Sequence, residues 1–375
     1  MDTRFGQVRA EHSGPGAGLV VAVTGAATGV GRLLVERLAT ISGSEREPRI
    51  SKVVAIDGER GDVEGVTWRV TDARDPRLAG KLAEVDVLVH ADDDRRIDSS
   101  PRERRAYNIR GAQTVLTAAA AERVQRVILL TSTMVYGADP ANPIPIKESA
   151  PAHPQTGASL LGDFAEIEEL AVLSRRAHPG LSVTVVRPAP LVGPELDTLL
   201  SRHFSAPRLL AVKGCEQAWQ FCHVEDLVDA LAFVVAAGVD NAEGVIAVGS
   251  DGALSQAEAC RIAQLREFEV APELAFSSIQ RLHRRRPAPD SELRFLVYPC
   301  VVDCATLRDA GWRPAYDNSE ALRELLEARS GKPAFVGRSL GRKEATITAA
   351  GAAGAAAAAI GTAAAVHRLR RRRRD

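Results

Sequence analysis

The chain has 375 residues, 45% of them apolar and 26% charged, with 48 Lys+Arg balancing 48 Asp+Glu. This composition can bury a sizeable core, and it excludes a wholly disordered, collagen-like or polytopic membrane protein. Five cysteines, with no tight spacing beyond Cys300 and Cys304, make neither a disulfide framework nor a tetrahedral metal site. No metal is therefore expected, and a reducing, cytoplasmic setting fits.

Residues 1–18 are polar and Gly-rich and lack the apolar run of a signal peptide, so they read as a flexible lead-in. The Val-rich run 19–23 predicts a buried parallel strand, followed by helical spacing over 32–40. Strands are predicted at 52–56, 66–70 and 85–90, a helix at 107–121, a strand at 126–131, a helix at 160–176 and a strand at 181–186. Strict alternation of strand and helix implies an α/β fold, a doubly wound parallel sheet of the Rossmann type. Its ligands lie at the carboxyl ends of the strands. The second half is less regular: a helix at 224–237, a strand at 244–248, a Ser255-capped helix at 255–265, a basic Pro-containing loop at 281–289, and a helix at 319–328 capped by Ser319. The predicted organisation is a doubly wound strand–helix domain over 19–190 and a smaller lobe over 191–330, interleaved with the last strands. An Ala-rich basic tail over 337–375 stands outside the fold.

The neutral total hides a split. Residues 337–375 carry nine basic and two acidic side chains, so a tail of +7 is joined to a body of −7. An acidic body argues against nucleic-acid binding by the main domain. Within the tail, 345–366 is uncharged and Ala-dominated, and an Arg cluster follows. Its length allows a membrane span, but its hydrophobicity is poor, and an Arg cluster that stays on the cytoplasmic side would export the body, which has no signal. The other readings are an arm whose Arg end touches anionic membrane, and a solvated tail.

The strongest chemical signal is Thr24-Gly25-Ala26-Ala27-Thr28-Gly29-Val30-Gly31, set between a predicted strand and helix. Gly25 permits the tight turn, and Thr28, Gly29, Val30 and Gly31 open a helix whose free N–H groups suit a pyrophosphate. Asp57 closes the second strand, where a carboxylate can accept both adenosine ribose hydroxyls. A 2′-phosphate there meets repulsion, so NAD is favoured over NADP, although Arg32 and Arg60 soften that preference.

These residues resemble the extended short-chain dehydrogenase/reductase family, the NAD-dependent epimerase/dehydratase group, and the resemblance runs over 19 to about 328. Asp72 and Ala73 resemble the adenine-binding segment, and Ala91 ends the strand that passes under the nicotinamide. Asn108 opens an Asn-x-x-Gly helix like the family's. Thr131-Ser-Thr-Met-Val-Tyr-Gly137 resembles the strand that carries the active-site hydroxyl. Arg187-Pro188, Gly193-Pro194, Phe221–Asp226 and Leu307–Pro314 match later family elements. The resemblance implies a homodimer through the helices near 108–121 and 160–176, and a small-molecule substrate that no residue here identifies.

The family's catalytic Tyr and Lys are missing. Thr156 and Leu160 stand in their places, with no Tyr between Tyr136 and Tyr298 and no Lys between Lys147 and Lys213. A tyrosine's free pKa of about 10 needs a nearby cation to be useful near neutrality, and a threonine cannot replace it. Ser132, with Thr133 as its alternative, is the remaining catalytic candidate: a carbonyl-polarising hydroxyl, or one simply bonded to backbone. His153 and Asp163 are nearby by sequence, and a lone loop His reads as solvated. Asp92-Asp93-Asp94 departs from the family's small residues and reads as a solvated charged loop rather than a metal site. Cys222 and His223 read as packing at a helix start capped by Asp226. Two functional readings follow: an atypical NAD-dependent oxidoreductase or epimerase-like enzyme, and a catalytically inactive NAD(H)-binding sensor or scaffold.

Overall fold

In this computed structural model, residues 18–42, 50–96, 98–153, 159–194, 196–282 and 289–330 are described. The lead-in, most of the 281–289 loop and the tail therefore lie outside the described residues. The chain divides into two units, 1–324 and 325–375. The second is described only at 325–330, as the end of its bordering helix.

The first half alternates as β1 (Leu19–Thr24), α1 (Gly29–Ile41), β2 (Ile50–Asp57), β3 (Thr67–Val70), β4 (Val87–His90), α2 (Pro101–Ala121), β5 (Arg126–Leu130), α3 (Leu160–Ala177) and β6 (Ser182–Pro188). The second half supplies β7 (Leu191–Val192), α4 (Leu199–His203), β8 (Arg208–Val212), β9 (Ala218–Trp219), β10 (Cys222–His223), α5 (Val224–Ala237) and β11 (Val245–Val248). Then come β12 (Leu254–Ser255), α6 (Gln256–Ala263), β13 (Arg266–Val270), α7 (Ala275–Leu282), α8 (Asp290–Leu293), α9 (Ala305–Asp309) and α10 (Asn318–Ser330).

Seven strands form one parallel sheet in the order β11-β6-β5-β4-β1-β2-β3. The strand order reverses between β1 and β4, and a doubly wound sheet opens its ligand crevice at such a point. The strands read as continuous apolar runs because both faces are covered. Val21, Val23, Val53, Ala55, Val87 and Val89 pack with Leu34, Leu38, Leu227 and Leu231 of α1 and α5. Their neighbours Ala22, Val54, Ile56 and Leu88 pack with Ile109, Val115, Phe164 and Ile167 of α2 and α3. The alternation is the two-residue period of a strand. β11 arrives from the second half of the chain and joins the sheet edge beside β6, with Val245 paired to Val185.

Three small pairings lie beyond the sheet: β7 with β10, β9 with β12, and β8 with β13. Ser255 caps α6 with the reciprocal box to Glu258 that its sequence suggests. Ser319 does not cap the last helix. It lies inside α10, and Asp317 takes its N–H at 2.7 Å and that of Glu320 at 2.8 Å, because a carboxylate two residues earlier reaches both orphan donors. α2 begins earlier than its apolar spacing suggests. Ser100 caps it and Pro101 occupies its first turn, so 101–106 is helical despite its charge.

Candidate functional site

The glycine loop turns between β1 and α1. Gly25 has φ +71°, and a Cβ there would fall 2.9 Å from the Asp92 backbone nitrogen. A Cβ on Gly31 would overlap the Gly25 carbonyl, so α1 presses directly on the loop. Thr28 is the N-cap of α1 in extended conformation, but its side chain makes no capping bond and the first turn holds no acidic residue. Among the described residues, the N–H groups opened by Gly29, Val30 and Gly31 are thus left without a side-chain acceptor, and the helix dipole adds positive character. Asp57 ends β2 beside them. One carboxylate oxygen accepts from Ala27 N–H at 2.9 Å and the other from Gly58 N–H at 2.6 Å. A dinucleotide fits these groups: uncapped donors for its diphosphate, and a carboxylate fixed by the same loop for a ribose. Such a cofactor, when bound, supplies hydride transfer.

Asp72 and Ala73 follow β3. The Asp72 carboxylate accepts from the Arg74 N–H at 2.8 Å and pairs with the Arg74 guanidinium. Burial opposes its charge, yet the Arg74 hydrogen bonds hold its pKa below the usual range. Arg74 stacks on the Tyr107 ring at 3.5 Å, and the Tyr107 hydroxyl donates to Asp92 at 2.5 Å. A connected chain therefore runs from the residues after β3, through α2, to the loop after β4. Below it, His90 ends β4 with its Nδ1 2.8 Å from the Thr24 hydroxyl, and burial lowers its pKa to about 4.

The acidic run 92–94 is not a solvated loop. Each carboxylate finds its own protein partner. Asp92 takes the Tyr107 hydroxyl, Asp93 takes Arg95 Nε at 2.6 Å, and Asp94, which is buried, takes Arg96, Ser99 and the Arg96 N–H. Burial raises the pKa of Asp92 and of Asp93, whereas at Asp94 the Arg96 and Ser99 hydrogen bonds overcome it. Asn108 fastens the segment: its side-chain oxygen accepts from Asp94 N–H at 2.7 Å and its amide donates to Asp94 O at 3.1 Å. Ala91 N–H reaches the Thr24 carbonyl at 3.3 Å. Among the described residues no group of three or more potential ligands could hold a metal.

Around β5, Thr131 donates its hydroxyl to Glu168 at 2.8 Å, and Glu168 also receives Arg187 at 2.9 and 2.5 Å. The Arg187 guanidinium lies 4.6 Å from the centre of the Tyr136 ring. Tyr136 is buried and donates to the Glu148 carbonyl at 2.6 Å; burial first of all raises its pKa. It is therefore a core residue. Ser132 caps a 3-10 turn over Thr133–Tyr136, accepting from Met134 N–H at 3.2 Å and donating to the Pro188 carbonyl at 3.4 Å. Its hydroxyl is engaged with backbone at 4% exposure. Thr133 Oγ1 is fully buried and has no hydrogen-bond partner among the described residues.

Leu160 opens α3, and its N–H donates to Glu292 at 2.9 Å; Thr156 lies outside the described residues. Asp163 is buried and paired with Arg104 at 2.9 Å, an α2–α3 tie. His153 is exposed, with its backbone N–H on the Val135 carbonyl at 2.8 Å. Asp226 does not cap α5. His223 does, accepting Glu225 N–H at 3.3 Å, while Asp226 reaches across to the N–H groups of Ala315 and Tyr316. Arg74, Tyr107 and Arg95 are absent from the sequence reading. Arg74 and Arg95 pair with Asp72 and Asp93 just before them, but their contacts with Tyr107 and Thr131, and that of Tyr107 with Asp92, come from other elements, so no local pattern marks them.

A family model described as NAD dependent epimerase/dehydratase family matches residues 21–249. Uncharacterized proteins of Mycobacterium tuberculosis and Mycobacterium bovis are 28% identical over 334 residues, covering 84% of this chain and 85% of theirs. Among solved structures, MoeE5 in complex with UDP-glucuronic acid and NAD is similar at a TM-score of 0.60 and 23% identity, over 82% of this chain and 98% of that one. UDP-glucose 4-epimerase of Thermotoga maritima with UDP-glucose gives 0.59 and 19%, over 83% and 98%. A double mutant of DesIV, the dTDP-glucose 4,6-dehydratase of Streptomyces venezuelae, with NAD and DAU bound, gives 0.60 and 20%, over 83% and 97%. The likeness to these structures is one of fold. Among the described residues no helix is long and apolar enough to cross a membrane.

Proposed function

Because this chain belongs to the NAD dependent epimerase/dehydratase family, we propose that it binds NAD(H), in preference to NADP(H), and does so without the Tyr–Lys proton-transfer pair. The observation that carries the reading is the uncapped start of α1 pressed against the glycine loop, with the Asp57 carboxylate tied to the same loop. The N–H groups at Gly29, Val30 and Gly31 hold the diphosphate, and Asp57 accepts from the adenosine ribose. Solved structures of similar fold with NAD bound support the choice of cofactor.

With Leu160 at the family's Lys position and Tyr136 buried in the core, no described side chain is placed as a Tyr–Lys pair. The site therefore favours a dinucleotide-binding sensor or scaffold. A second reading, an epimerase-like oxidoreductase, is favoured by one observation: Ser132 stands at the carboxyl end of β5, on the ligand side of the sheet. There it would polarise a substrate carbonyl after giving up its bond to Pro188. We further propose a homodimer through α2 and α3, where Leu173 is 58% exposed. A monomeric mass in light scattering would contradict it.

The test of cofactor binding is calorimetric titration of the full chain and of Asp57→Ala with NADH. Loss of a charged acceptor should weaken binding about tenfold. Equal affinity of the two proteins would remove Asp57 from the site.

A further inference from the structure

Arg95 follows β4 and reaches the carboxyl end of β5. Its Nε donates to Asp93 at 2.6 Å, its Nη2 donates to the Thr131 carbonyl at 3.0 Å, and its guanidinium carbon lies 4.9 Å from the centre of the Phe164 ring. Nη1 makes no hydrogen bond among the described residues. An arginine that serves only to neutralise a carboxylate commonly meets it with two parallel bonds. Here the carboxylate takes Nε alone, and the fork is turned towards the strand end next to Ser132. Phe164 lies one helical turn beyond Leu160 on α3, so this cation stands where α3 itself brings none.

A dinucleotide on a doubly wound sheet spans the point of reversal, with one half over each side. Asp57 lies on the β2 side and Arg95 on the β4–β5 side. We propose that Arg95 binds the nicotinamide riboside half of the dinucleotide, its guanidinium donating to the oxygen atoms of that half. The assignment rests on the NAD(H) reading above. A guanidinium suits the task because it stays charged and presents several donors in one plane. Asp93 fixes its orientation, and the Phe164 ring supports its flat face.

The experiment compares NADH with ADP, which carries the adenosine and diphosphate but not the second riboside. Both are titrated calorimetrically into the full chain, Arg95→Ala and Arg95→Met. The Met variant keeps an apolar stem over Phe164 and carries the test if the Ala variant does not fold. The expected result is a loss of about tenfold or more in NADH affinity with ADP affinity unchanged. Equal weakening of both ligands, or of neither, overturns the role of Arg95 and leaves the NAD(H) reading standing. Failure of the unmodified chain to bind either ligand overturns that reading and this one with it.

Discussion

His90 makes the buried floor of the site measurable. It is 6% exposed, lies against the Thr24 hydroxyl at 2.8 Å, and would stand 3.3 Å from a Cβ placed on Gly111. Burial is the main cause of its low pKa; Asp93 opposes the shift and Arg74 adds to it. The sign follows directly. Below its ordinary value of 6.5 the unfolded chain takes up a proton that the native chain refuses until about pH 4. Stability from this group is complete above 6.5 and is lost as the pH falls through that window. At about 1.4 kcal/mol per pH unit, the window is worth about 3 kcal/mol, a large share of a typical stability of about 5–15 kcal/mol. The perturbation is His90→Gln, which cannot titrate. Urea denaturation of both proteins at several pH values between about 7 and 4 gives the two stability curves, and carboxylates elsewhere cancel in their difference. The unmodified chain should lose about 3 kcal/mol more than the variant across the window. Parallel curves would refute the claim that His90 is held neutral by burial.

Three further outcomes follow from the same geometry. Asp92→Asn should gain stability at neutral pH, because burial raises the native pKa and the charged form is disfavoured there. The gain should vanish below the ordinary carboxylate value of 3.8, and a gain that persists in acid would contradict it. Glu168→Gln should cost about 3–5 kcal/mol in urea denaturation, because it leaves the buried Arg187 guanidinium without its charge partner; a cost below about 1 kcal/mol would place that pair among weak surface bridges. Ser132→Ala should leave NADH affinity unchanged and cost about 1 kcal/mol through the lost cap. In a screen of carbonyl substrates, turnover that this variant retains would exclude Ser132 as the polarising group.

The first half of the fold was legible because its signals are contiguous. β1, the glycine loop, α1 and the Asp57 at the end of β2 fall within a short stretch, and each has its own local requirement in backbone shape or period. The limits of α2 were less legible, since Pro101–Ala106 reads as charged surface until Ser100 and Pro101 are seen as a helix start. The β8–β13 pairing joins segments more than fifty residues apart, so neither short strand announces its partner. The acidic run shows the same limit in side-chain terms. Its composition suggested solvation, whereas Tyr107 and Asn108, brought in by α2, and Arg95 and Arg96, folded back from the next residues, satisfy it inside the protein. That Ser132 follows β5 is readable from the strand pattern, but its hydroxyl's engagement with the Pro188 carbonyl depends on β6 lying beside β5.

The most direct measurement is calorimetric titration of the full chain with NADH and, separately, with NADPH. The account predicts micromolar binding of NADH and binding of NADPH at least about tenfold weaker, since Asp57 would face a 2′-phosphate. Binding of neither by a folded sample, or tighter binding of NADPH, would contradict it.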